Sequence, residues 1–585
     1  MTWPAIGKPR GERSQHYLDE YDAVRRAFSW ESARRELAAS EGDLLNITYE
    51  AVDRHVEAGE GQRLAVRFID RDWARIDLSY GELQNRCNRF ANVLQKLGVT
   101  RGECIATLLT RSPELFSVVL GTLKAGGRCC ALFSAFGPEP LKTRLQLGRV
   151  RVLVTSESLY RRKVLAIREA LPELTHVLIV REGPGTQLAP ATTEFAALMS
   201  EASERFDAVP TRVDEIALLH FTSGTTGKPK GVTLTHAAVI AQHATSKLVL
   251  DLHPGETYWC TADPGWVTGI AYGVIGPLTR GVSLIVDREE FEPQRWYRIL
   301  AEERVNVWYT APTAIRMLMK AGTALTHERA YPDLRLMLSV GEPLNAEAVM
   351  WGMQAFGMPF HDTWWQTETG AIMIANFAAC AVLPGCMGRA IPGIEARVVR
   401  RGAAGLEVIE SADEVGEIAL RPGWPSMFSG YLGEEQRYRA AFTDGWYLSG
   451  DLARRDGDGN FWFIGRADDV IKAAGHLISP FEVESALMSH AAVAQVGVIG
   501  VPDPIAGQAV KAFVELKNGV EPTEELRRSL LAHARRLLGA VVAPREIAFS
   551  AALPRTRSGK IMRRLLRARE LGLPEGDLST LEAGT

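Results

Sequence analysis

The sequence has few of the features that mark disulfide-rich, nucleic-acid-binding or membrane-surface proteins. Its 585 residues include only seven cysteines, none with C-x-x-C spacing, so neither a disulfide framework nor a zinc site is indicated. The formal net charge of -3 supplies neither a basic field for nucleic acid nor a polybasic patch for a membrane. We therefore expect small-molecule partners, no nucleic acid and no membrane.

Long apolar runs are also missing. Residues 1–14 carry no apolar block of the kind found in a signal peptide. The most apolar segment, residues 115–136, is interrupted by Lys124 and Arg128 and falls short of the roughly 20 apolar residues that a membrane span needs. The sequence predicts a soluble, cytoplasmic protein.

The stretch from Leu218 to His236 is rich in glycine and hydroxyl residues. An apolar run enters it, and glycine backbone can approach an anion and offer N–H groups to its oxygens. The spacing differs from a Walker A loop, because only two residues separate Gly224 from Gly227 and Pro229 follows the lysine. A glycine-rich hairpin over a nucleotide fits, although Gly-Thr-Thr-Gly alone also suits an ordinary polar turn. The candidate phosphate-binding residues are Thr222, Ser223, Gly224, Thr225, Thr226, Gly227 and Lys228.

The complete string resembles the signature loop of the adenylate-forming superfamily, which includes acyl-CoA synthetases, peptide-synthetase adenylation domains and firefly luciferase. Within it, the chain is most similar to the AMP-forming acetyl-CoA synthetases, with matching motifs from about Ile47 to Arg567. The resemblance implies ATP, acetate and CoA as substrates, Mg²⁺ as cofactor and acetyl-AMP as intermediate.

Strand and helix patterns alternate through the first part of the chain. Predicted strands at Cys104–Leu109, Val150–Thr155 and His176–Val180 are separated by helical patterns at Pro113–Ala125 and Pro138–Gly148. This rhythm is typical of α/β proteins in which helices cover a parallel sheet. The length also indicates more than one domain.

The pattern changes twice in the second half. Beyond Gly385, short alternating strands predict a small β-rich subdomain, and near Asp468 the chain pivots into a compact α+β piece in which Ser479 is expected to cap a helix. We predict an N-terminal domain of two αβ layers with mixed parallel sheets plus the β-rich subdomain (1–467), followed by a mobile C-terminal lid (468–585). The resemblance implies that Asp468 is the hinge.

A second motif runs from Asp362 to Gly370. ATP brings several negative charges, so a divalent cation is needed, and Glu368 is the natural carboxylate ligand for Mg²⁺. The resemblance implies that Thr367 contacts the α-phosphate and that residues 362–366 pack against adenine. A strand end with core tryptophans is the alternative. The residues assigned to the nucleotide here are Asp362, Thr363, Trp364, Gln366 and Thr367.

Further nucleotide contacts are assigned by resemblance. Gly341, Glu342 and Pro343 form a turn that faces adenine and ribose in the family. Asp451 matches the ribose ligand, since a carboxylate can hold a diol through paired hydrogen bonds, and Arg466 matches an arginine that reaches the nucleotide. Taken alone, these residues would be an ordinary turn and surface charges.

The segment after the hinge departs from the family. Gly475 matches a glycine that borders the pantetheine tunnel, but Leu477 stands where acetyl-CoA synthetases usually have an arginine near the phosphate. Lys472 matches a lysine of related synthetases and is expected to compensate for the missing cation.

The last motif, residues 554–564, is basic. Charge alone would indicate a solvated surface, but Lys560 on a Ser-Gly turn matches the family's catalytic lysine, which bridges the carboxylate and the α-phosphate as a point charge. In relatives this lysine is also the site of inactivating acetylation, so a lysine acetyltransferase and deacetylase acting on Lys560 are possible partners.

The acyl and CoA sites are also assigned by resemblance. Trp365 should close the acyl pocket after two or three carbons, because indole is large and rigid. The arginines assigned to CoA are expected to bind its 3′-phosphate. The alternative is that they are ordinary surface charges. The acyl pocket residues are Val267, Thr268, Val340 and Trp365, and the CoA residues are Thr268, Gly475, Arg144 and Arg535.

These assignments predict an AMP-forming acetate–CoA ligase. The same reaction on propionate or a small branched acid stays open, since one methyl group changes discrimination by only about 1–3 kcal/mol. Loading of a carrier protein is disfavoured because the sequence ends soon after Lys560 without a carrier domain. A sensor that binds AMP or acyl-CoA without turnover is a third alternative, suggested by Leu477.

Overall fold

The computed structural model describes most of the chain. The described residues are 3–7, 16–37, 44–183, 188–222, 229–402, 405–412, 414–473, 476–504, 506–517, 519–556, 560–575, 578 and 581.

One eight-stranded sheet contains the strand that leads into the predicted phosphate loop. Its central strands pair in parallel, and the strands on either side of the loop pair antiparallel as a hairpin. In spatial order the strands are Gly430–Tyr431, Lys230–Thr235, Ile216–Thr222, Arg128–Ala131, Cys104–Leu108, Val150–Ser156, His176–Val180 and Thr193–Glu194.

A nine-stranded sheet forms the second layer. It is parallel in its middle and antiparallel at both edges. Its strands, in spatial order, are Arg389–Ala390, Ile374–Ala375, Phe360–Trp364, Leu336–Ser339, Val307–Thr310, Thr257–Cys260, Ser283–Asp287, Leu64–Ile69 and Arg75–Ser79.

A six-stranded antiparallel sheet follows and contains two of the predicted nucleotide residues, Asp451 and Arg466. Its strands are Gly405–Val408, Ala396–Gly402, Val415–Leu420, Trp446–Arg455, Phe442–Thr443 and Phe461–Arg466. The C-terminal part has a five-stranded sheet of its own, with strands His476–Ile478, Ile471–Ala473, Gly507–Leu516, Val493–Asp503 and Glu546–Phe549.

Helices cover the sheets, and several begin as the local chemistry predicts. The hydroxyl of Ser79 accepts the N–H of Glu82 while the glutamate carboxylate accepts the N–H of Ser79, and Ser479 caps its helix through the N–H of Glu482. The α-helices are Tyr21–Ala27, Trp30–Arg35, Tyr80–Lys96, Pro113–Lys124, Pro138–Leu147, Glu157–Leu159, Phe195–Glu201, Ala238–Leu248, Val267–Ile270, Gly276–Thr279, Pro293–Glu302, Pro312–Ala321, Ala346–Phe356, Glu435–Ala440, Pro480–Met488, Glu524–Val542 and Arg563–Leu571.

In the described part of the chain, further turns of helix are of other types. The π-helical turns are Tyr49–Asp53, Val56–Glu60, Tyr160–Val164 and Ala271–Ile275, and the 3₁₀ turns are Leu165–Ala170 and Thr326–Glu328.

The predicted fold class is confirmed. The two large sheets share an extensive hydrophobic core, and the C-terminal sheet packs its own core around Val496, Val498 and Val514. A separate core of this kind fits the predicted lid, although the boundary at Asp468 stays a prediction. No helix in the described ranges has the length and apolar character needed to cross a membrane.

Candidate active site

Asp451 lies at the centre of a buried polar cluster. Trp364 Nε1 and Gln366 Nε2 donate to its Oδ2 at 3.0 and 2.9 Å, and Arg466 Nη1 lies 3.1 Å from Oδ1. The hydroxyl of Tyr447 donates to Gln366 Oε1 at 2.7 Å and fixes the amide orientation. Four residues predicted separately from sequence therefore meet at one carboxylate.

The Asp451 carboxylate has spare acceptor capacity. The residue is 5% exposed, and its Oδ1 accepts no hydrogen bond from the described part of the protein. Burial raises the pKa of the Asp451 carboxyl, and the positive charges of Arg466 and Lys560 act in the opposite direction. A buried carboxylate oxygen that faces one guanidinium group keeps lone-pair capacity for a ligand hydroxyl, and Lys560 lies close enough for its charge to act on this carboxyl.

Glu368 lies beside a second group of polar side chains. The hydroxyl of Tyr431 donates to Glu368 Oε1 at 2.8 Å, and the Nζ of Lys230 lies 5.4 Å from the Tyr431 ring centre. Burial lowers the pKa of Lys230, while the charge of Glu368 acts to raise it. Oε2 of Glu368 has no hydrogen bond within the described residues, which leaves one carboxylate oxygen free for a cation.

The strand Phe360–Trp364 joins the nucleotide cluster to the sheet. Asp362 is 4% exposed and accepts the N–H of Thr363 at 3.0 Å, and burial raises the pKa of Asp362 to about 8. The hydroxyl of Thr363 donates to the carbonyl of Ser339 at 2.7 Å and lies 2.8 Å from the hydroxyl of Tyr309. These two side chains therefore fix the strand on which Trp364 is presented.

The predicted adenine turn is held by an ion pair. Gly341 has a φ of 93°, in the left-handed region that favours glycine. Arg316 Nη2 contacts Glu342 Oε2 at 2.5 Å, and the hydroxyl of Thr313 donates to Oε1 at 2.7 Å. Both ionised side chains are only about one-tenth exposed, so Glu342 acts in the turn as a neutralised, fixed group.

Trp365 packs against a rigid tyrosine. Its ring meets Tyr272 edge-on, with centroids 5.2 Å apart and planes at 82°. The Tyr272 hydroxyl accepts the N–H of Ile372 at 2.8 Å and lies 2.8 Å from the hydroxyl of Thr245. Because Tyr272 is fully buried and tethered at its far end, it fixes the position of the indole.

The main comparisons with known proteins cover nearly the whole chain. A family model described as AMP-binding enzyme matches residues 53–432, and one described as AMP-binding enzyme C-terminal domain matches residues 482–560. The chain belongs to the AMP-binding enzyme family.

Individual relatives agree with this assignment. An acetyl-coenzyme A synthetase of Bacillus subtilis is 42% identical over 571 residues, covering 97% of this chain and 98% of the relative. One of Pyrobaculum aerophilum is 38% identical over 579 residues, covering 93% and 86%. Among solved structures, the acyl-CoA synthetase of Brucella canis has 34% identity and a TM-score of 0.74, covering 95% and 99%. An anthranilate CoA ligase in complex with anthranoyl-AMP has 26% identity and a TM-score of 0.81, covering 90% and 98%.

In this AMP-binding enzyme, Lys560 is exposed and bonds through its backbone to Thr556. Its backbone N–H donates to the hydroxyl of Thr556 at 3.0 Å, and the N–H of Thr556 donates back to the Lys560 carbonyl at 2.7 Å. Its ammonium forms no hydrogen bond or ion pair with the described residues. The turn thus holds the lysine backbone while its charged end stays available.

A network of ion pairs connects this turn to the large domain. Glu515, which is 5% exposed, contacts Lys320 Nζ at 3.2 Å through Oε1 and Arg555 Nη2 at 3.4 Å through Oε2. Lys320 belongs to the helix Pro312–Ala321, and Arg555 lies five positions before Lys560. The enzyme therefore has a direct electrostatic link between its main body and the turn.

The acyl residues of the AMP-binding enzyme are placed in or against one core. Val340 is buried within it, while Val267 and Trp365 pack on its edge, and Val267 and Thr268 begin the short helix Val267–Ile270. Their role as the acyl pocket stays a prediction.

Of the two arginines assigned to CoA, Arg535 is better placed to bind the 3′-phosphate than Arg144. Arg144 is 2% exposed, with its guanidinium 4.0 Å from the Phe136 ring centre and its Nη1 donating to the Pro140 carbonyl. That burial is at odds with a 3′-phosphate contact, because the charge faces the protein interior. Arg535 is exposed on the helix Glu524–Val542, where an incoming anion can reach it.

Some predicted residues cannot be placed in detail. Ser223–Lys228 and Gly475 lie outside the described residues, as does the side chain of Leu477. Thr222 ends its strand as expected, Thr367 is half-buried beside Glu368, and Asp468 and Lys472 are exposed.

Sequence reasoning missed several residues of the site. Lys230 lies within the glycine-rich motif, so its charge could have marked it as a candidate site residue. Its approach to Tyr431, however, depends on strand pairing between Tyr431 and Val232. Tyr272 lies in a segment without a motif, and Tyr447 begins the stretch that ends at Asp451. Their roles follow from tertiary packing and had no local signal.

Proposed function

We propose that this chain is an AMP-forming acetate–CoA ligase. The observation that carries the proposal is the buried cluster in which Trp364, Gln366 and Arg466 meet the carboxylate of Asp451. A fixed buried carboxylate suits recognition of a ribose, and the exposed ammonium of Lys560, which has no partner among the described residues, suits neutralisation of an α-phosphate.

In the first half-reaction, an acetate oxygen attacks the α-phosphorus of ATP. A new P–O bond forms, the bond to the β-phosphate oxygen breaks, and pyrophosphate leaves with the electron pair. Asp451 and Trp364 position the nucleoside, Arg466 and the Thr222–Lys228 loop bind phosphate oxygens, and Lys560 stabilises the charge that develops between acetate and phosphorus.

A carboxylate oxygen of Glu368 is a suitable ligand for a magnesium ion. Mg²⁺ prefers one or two carboxylates and completes its shell with water and phosphate oxygens, and Glu368 has one oxygen without a hydrogen bond among the described residues. Glu368 would hold the ion, whose chemistry is to neutralise charge on the triphosphate.

In the second half-reaction, the CoA sulfur attacks the acetyl carbonyl carbon of acetyl-AMP. The thioester C–S bond forms, AMP leaves with the electrons of the anhydride bond, and the thiol proton is lost. We propose that the C-terminal part turns about Asp468, removes Lys560 and presents Gly475 to the thiol. Arg535 is the proposed contact of the 3′-phosphate, with Thr268 near the tunnel and Lys472 supplying the cation that Leu477 lacks.

The acetate assignment draws on the acyl-pocket residues. Trp365 is held against the buried Tyr272 ring, so the indole cannot easily swing aside to admit a longer chain. The relatives named acetyl-coenzyme A synthetase support the same substrate.

The exposed ammonium of Lys560 also makes it accessible for modification. We propose that a lysine acetyltransferase and a deacetylase act on it, since acetylation would remove the charge on which the first half-reaction depends. Use of ATP and CoA favours a cytoplasmic location for this reaction.

The test is the product spectrum across straight-chain acids of two to six carbons. Purified protein with MgATP and CoA should release AMP and form the thioester, with the highest kcat/KM for acetate. If kcat/KM were highest with propionate, propionate and not acetate would be the substrate. Nucleotide binding without AMP release for any acid would support a sensor.

A further inference from the structure

A second polar cavity lies apart from the candidate active site. It has a volume of about 500 Å³, within the range of small-molecule sites. Its walls come from the N-terminal helix Tyr21–Ala27, the edge strands of the nine-stranded sheet and the hairpin that follows Trp446–Arg455. The charged residues that line it are Arg25, Arg389, Arg397, Arg455, Asp22 and Asp458.

Among the described residues, three of the four cavity arginines have no carboxylate partner. Arg397 lies 3.6 Å from Glu395, but Arg25, Arg389 and Arg455 form no ion pair anywhere in the described ranges. The chain as a whole carries a net charge of -3, so carboxylates are not scarce elsewhere. The cavity lining has two more arginines than carboxylates, and Arg389 and Arg455 are half-buried in it, whereas Arg25 is exposed.

Two of these guanidinium groups are held in position. The Arg389 guanidinium lies 3.9 Å from the ring centre of Tyr21, and the Tyr21 hydroxyl donates to the carbonyl of Ala390 at 2.7 Å. Arg455 is half-buried, and its Nε is buried without a hydrogen bond. Nη2 of Arg389 donates to Sγ of Cys380 at 3.6 Å, whereas Arg455 keeps a buried N–H without an acceptor, at a cost that a bound anion would remove.

The geometry points to a binding site for a small phosphorylated metabolite. Guanidinium groups present planar pairs of N–H donors that match phosphate oxygens, and several of them around one cavity favour a ligand with more than one negative charge. None of the residues predicted to contact ATP, acetate or CoA lines this cavity.

The cavity is connected to the candidate active site through the backbone. The cavity residue Asn376 donates its N–H to the carbonyl of Asp362 at 3.0 Å, and the strand that ends at Arg455 also carries Asp451. An anion bound between these two walls would contact both elements that form the Asp451 cluster. The ligand is therefore a regulator of nucleotide binding.

The test is calorimetric titration of the full chain with two probes, fructose 1,6-bisphosphate and citrate, with AMP saturating the nucleotide site. We expect the bisphosphate to bind with a Kd below about 1 mM. The variants Arg389→Gln and Arg455→Gln should each weaken it by about tenfold or more, since each removes a charged hydrogen-bond donor to the phosphate.

A matched control is Arg421→Gln. Arg421 also stacks on an aromatic ring, 3.9 Å from the centre of Trp446, but lies outside the cavity, so its variant should bind the bisphosphate like the wild type. Circular dichroism and the Tm of all three variants establish that they fold.

Several results would overturn the proposal. These are no heat of binding for the bisphosphate, equal affinity in folded Arg389→Gln and Arg455→Gln, or citrate binding as tightly as the bisphosphate. Unchanged AMP affinity in the presence of the bisphosphate would overturn the regulatory role. None of these results depends on acetate being the substrate, so failure here is distinguishable from failure of the proposed function.

Discussion

The two parts of the candidate active site are built in opposite ways. Asp451 is 5% exposed and fixed by Trp364 and Gln366, whereas Lys560 is exposed and its ammonium has no hydrogen bond or ion pair within the described chain. Buried, pre-organised groups suit binding, because they cost little to order when the ligand arrives. A free charge on a turn suits a group needed in only one of two half-reactions.

The link between the two parts is correspondingly slight. Lys320 and Arg555 both contact Glu515, and Lys320 is 38% exposed. Partly exposed ion pairs contribute at most about 1 kcal/mol. A link of this strength is compatible with the proposed movement of the C-terminal part between the two half-reactions.

The largest effect is expected from Lys560→Ala. Acetate-dependent exchange between ATP and pyrophosphate should fall by about 100- to 1,000-fold, because a charge-stabilising donor contributes about 2.7–4 kcal/mol to such a step. Thioester formation from supplied acetyl-AMP should persist. Lys517→Ala, which removes an exposed lysine elsewhere in the C-terminal part, is the control. If Lys560→Ala lost both half-reactions equally, the distinction between a binding part around Asp451 and a mobile part that carries Lys560 would be refuted.

Asp451→Ala should act on binding. Removing the buried carboxylate leaves Arg466 without its partner, and breaking a buried pair costs about 3 kcal/mol or more. We expect AMP affinity to fall by about 100-fold and the Tm to drop, measured by calorimetry. Asp207→Ala, at an exposed position, serves as control. Unchanged AMP affinity would exclude Asp451 as the ribose ligand.

Trp365→Gly should change selectivity without changing nucleotide affinity. Opening the pocket removes the clash with longer acids, and each methylene should then change kcat/KM by about 10-fold or more in their favour. Rates across acids of two to six carbons measure this shift. An unaltered substrate profile would place Trp365 outside the pocket.

Asp362 should give the buried part a characteristic pH dependence of stability. Its pKa is about 8 in the fold and about 3.9 when unfolded, so the native state binds a proton that the unfolded state releases. Stability should therefore fall as pH rises from about 4 to about 8, by about 1.4 kcal/mol per pH unit in mid-range. In thermal unfolding experiments at pH 6 and 7, the stability of Asp362→Asn should lack this pH-dependent contribution. An equal change of Tm with pH in variant and wild type would refute it.

The smallest effect is expected from Glu515→Gln. Weakening the link to Lys320 and Arg555 should slow adenylation by about fivefold, corresponding to about 1 kcal/mol, and leave thioester formation unchanged. A double-mutant cycle with Lys320→Met isolates the coupling between them. Additive effects of the two substitutions would show that the pair does not position the turn.

Local chemistry predicted much of this molecule. The hydroxyl of Ser479 caps its helix, and the strand before the glycine-rich loop ends at Thr222, because caps and strand ends depend on neighbouring residues. The meeting of Asp451 with Arg466 was implied by two separate motifs and is produced by antiparallel pairing of their strands.

Other features depend on contacts between distant parts of the chain. Arg144 carries no local signal that it lies on the Phe136 ring, and a charged residue is ordinarily expected at the surface. Tyr272 acquires its role from Thr245 and Trp365. The arginine-lined cavity joins residues more than 400 positions apart, so sequence spacing could not indicate it.

The most direct test of the central claim is exchange of labelled pyrophosphate into ATP in the absence of CoA. The account predicts exchange that requires acetate, because acetyl-AMP forms at the Asp451 cluster before any thiol is needed. No exchange with acetate, propionate or butyrate, or formation of ADP in place of AMP, would contradict it.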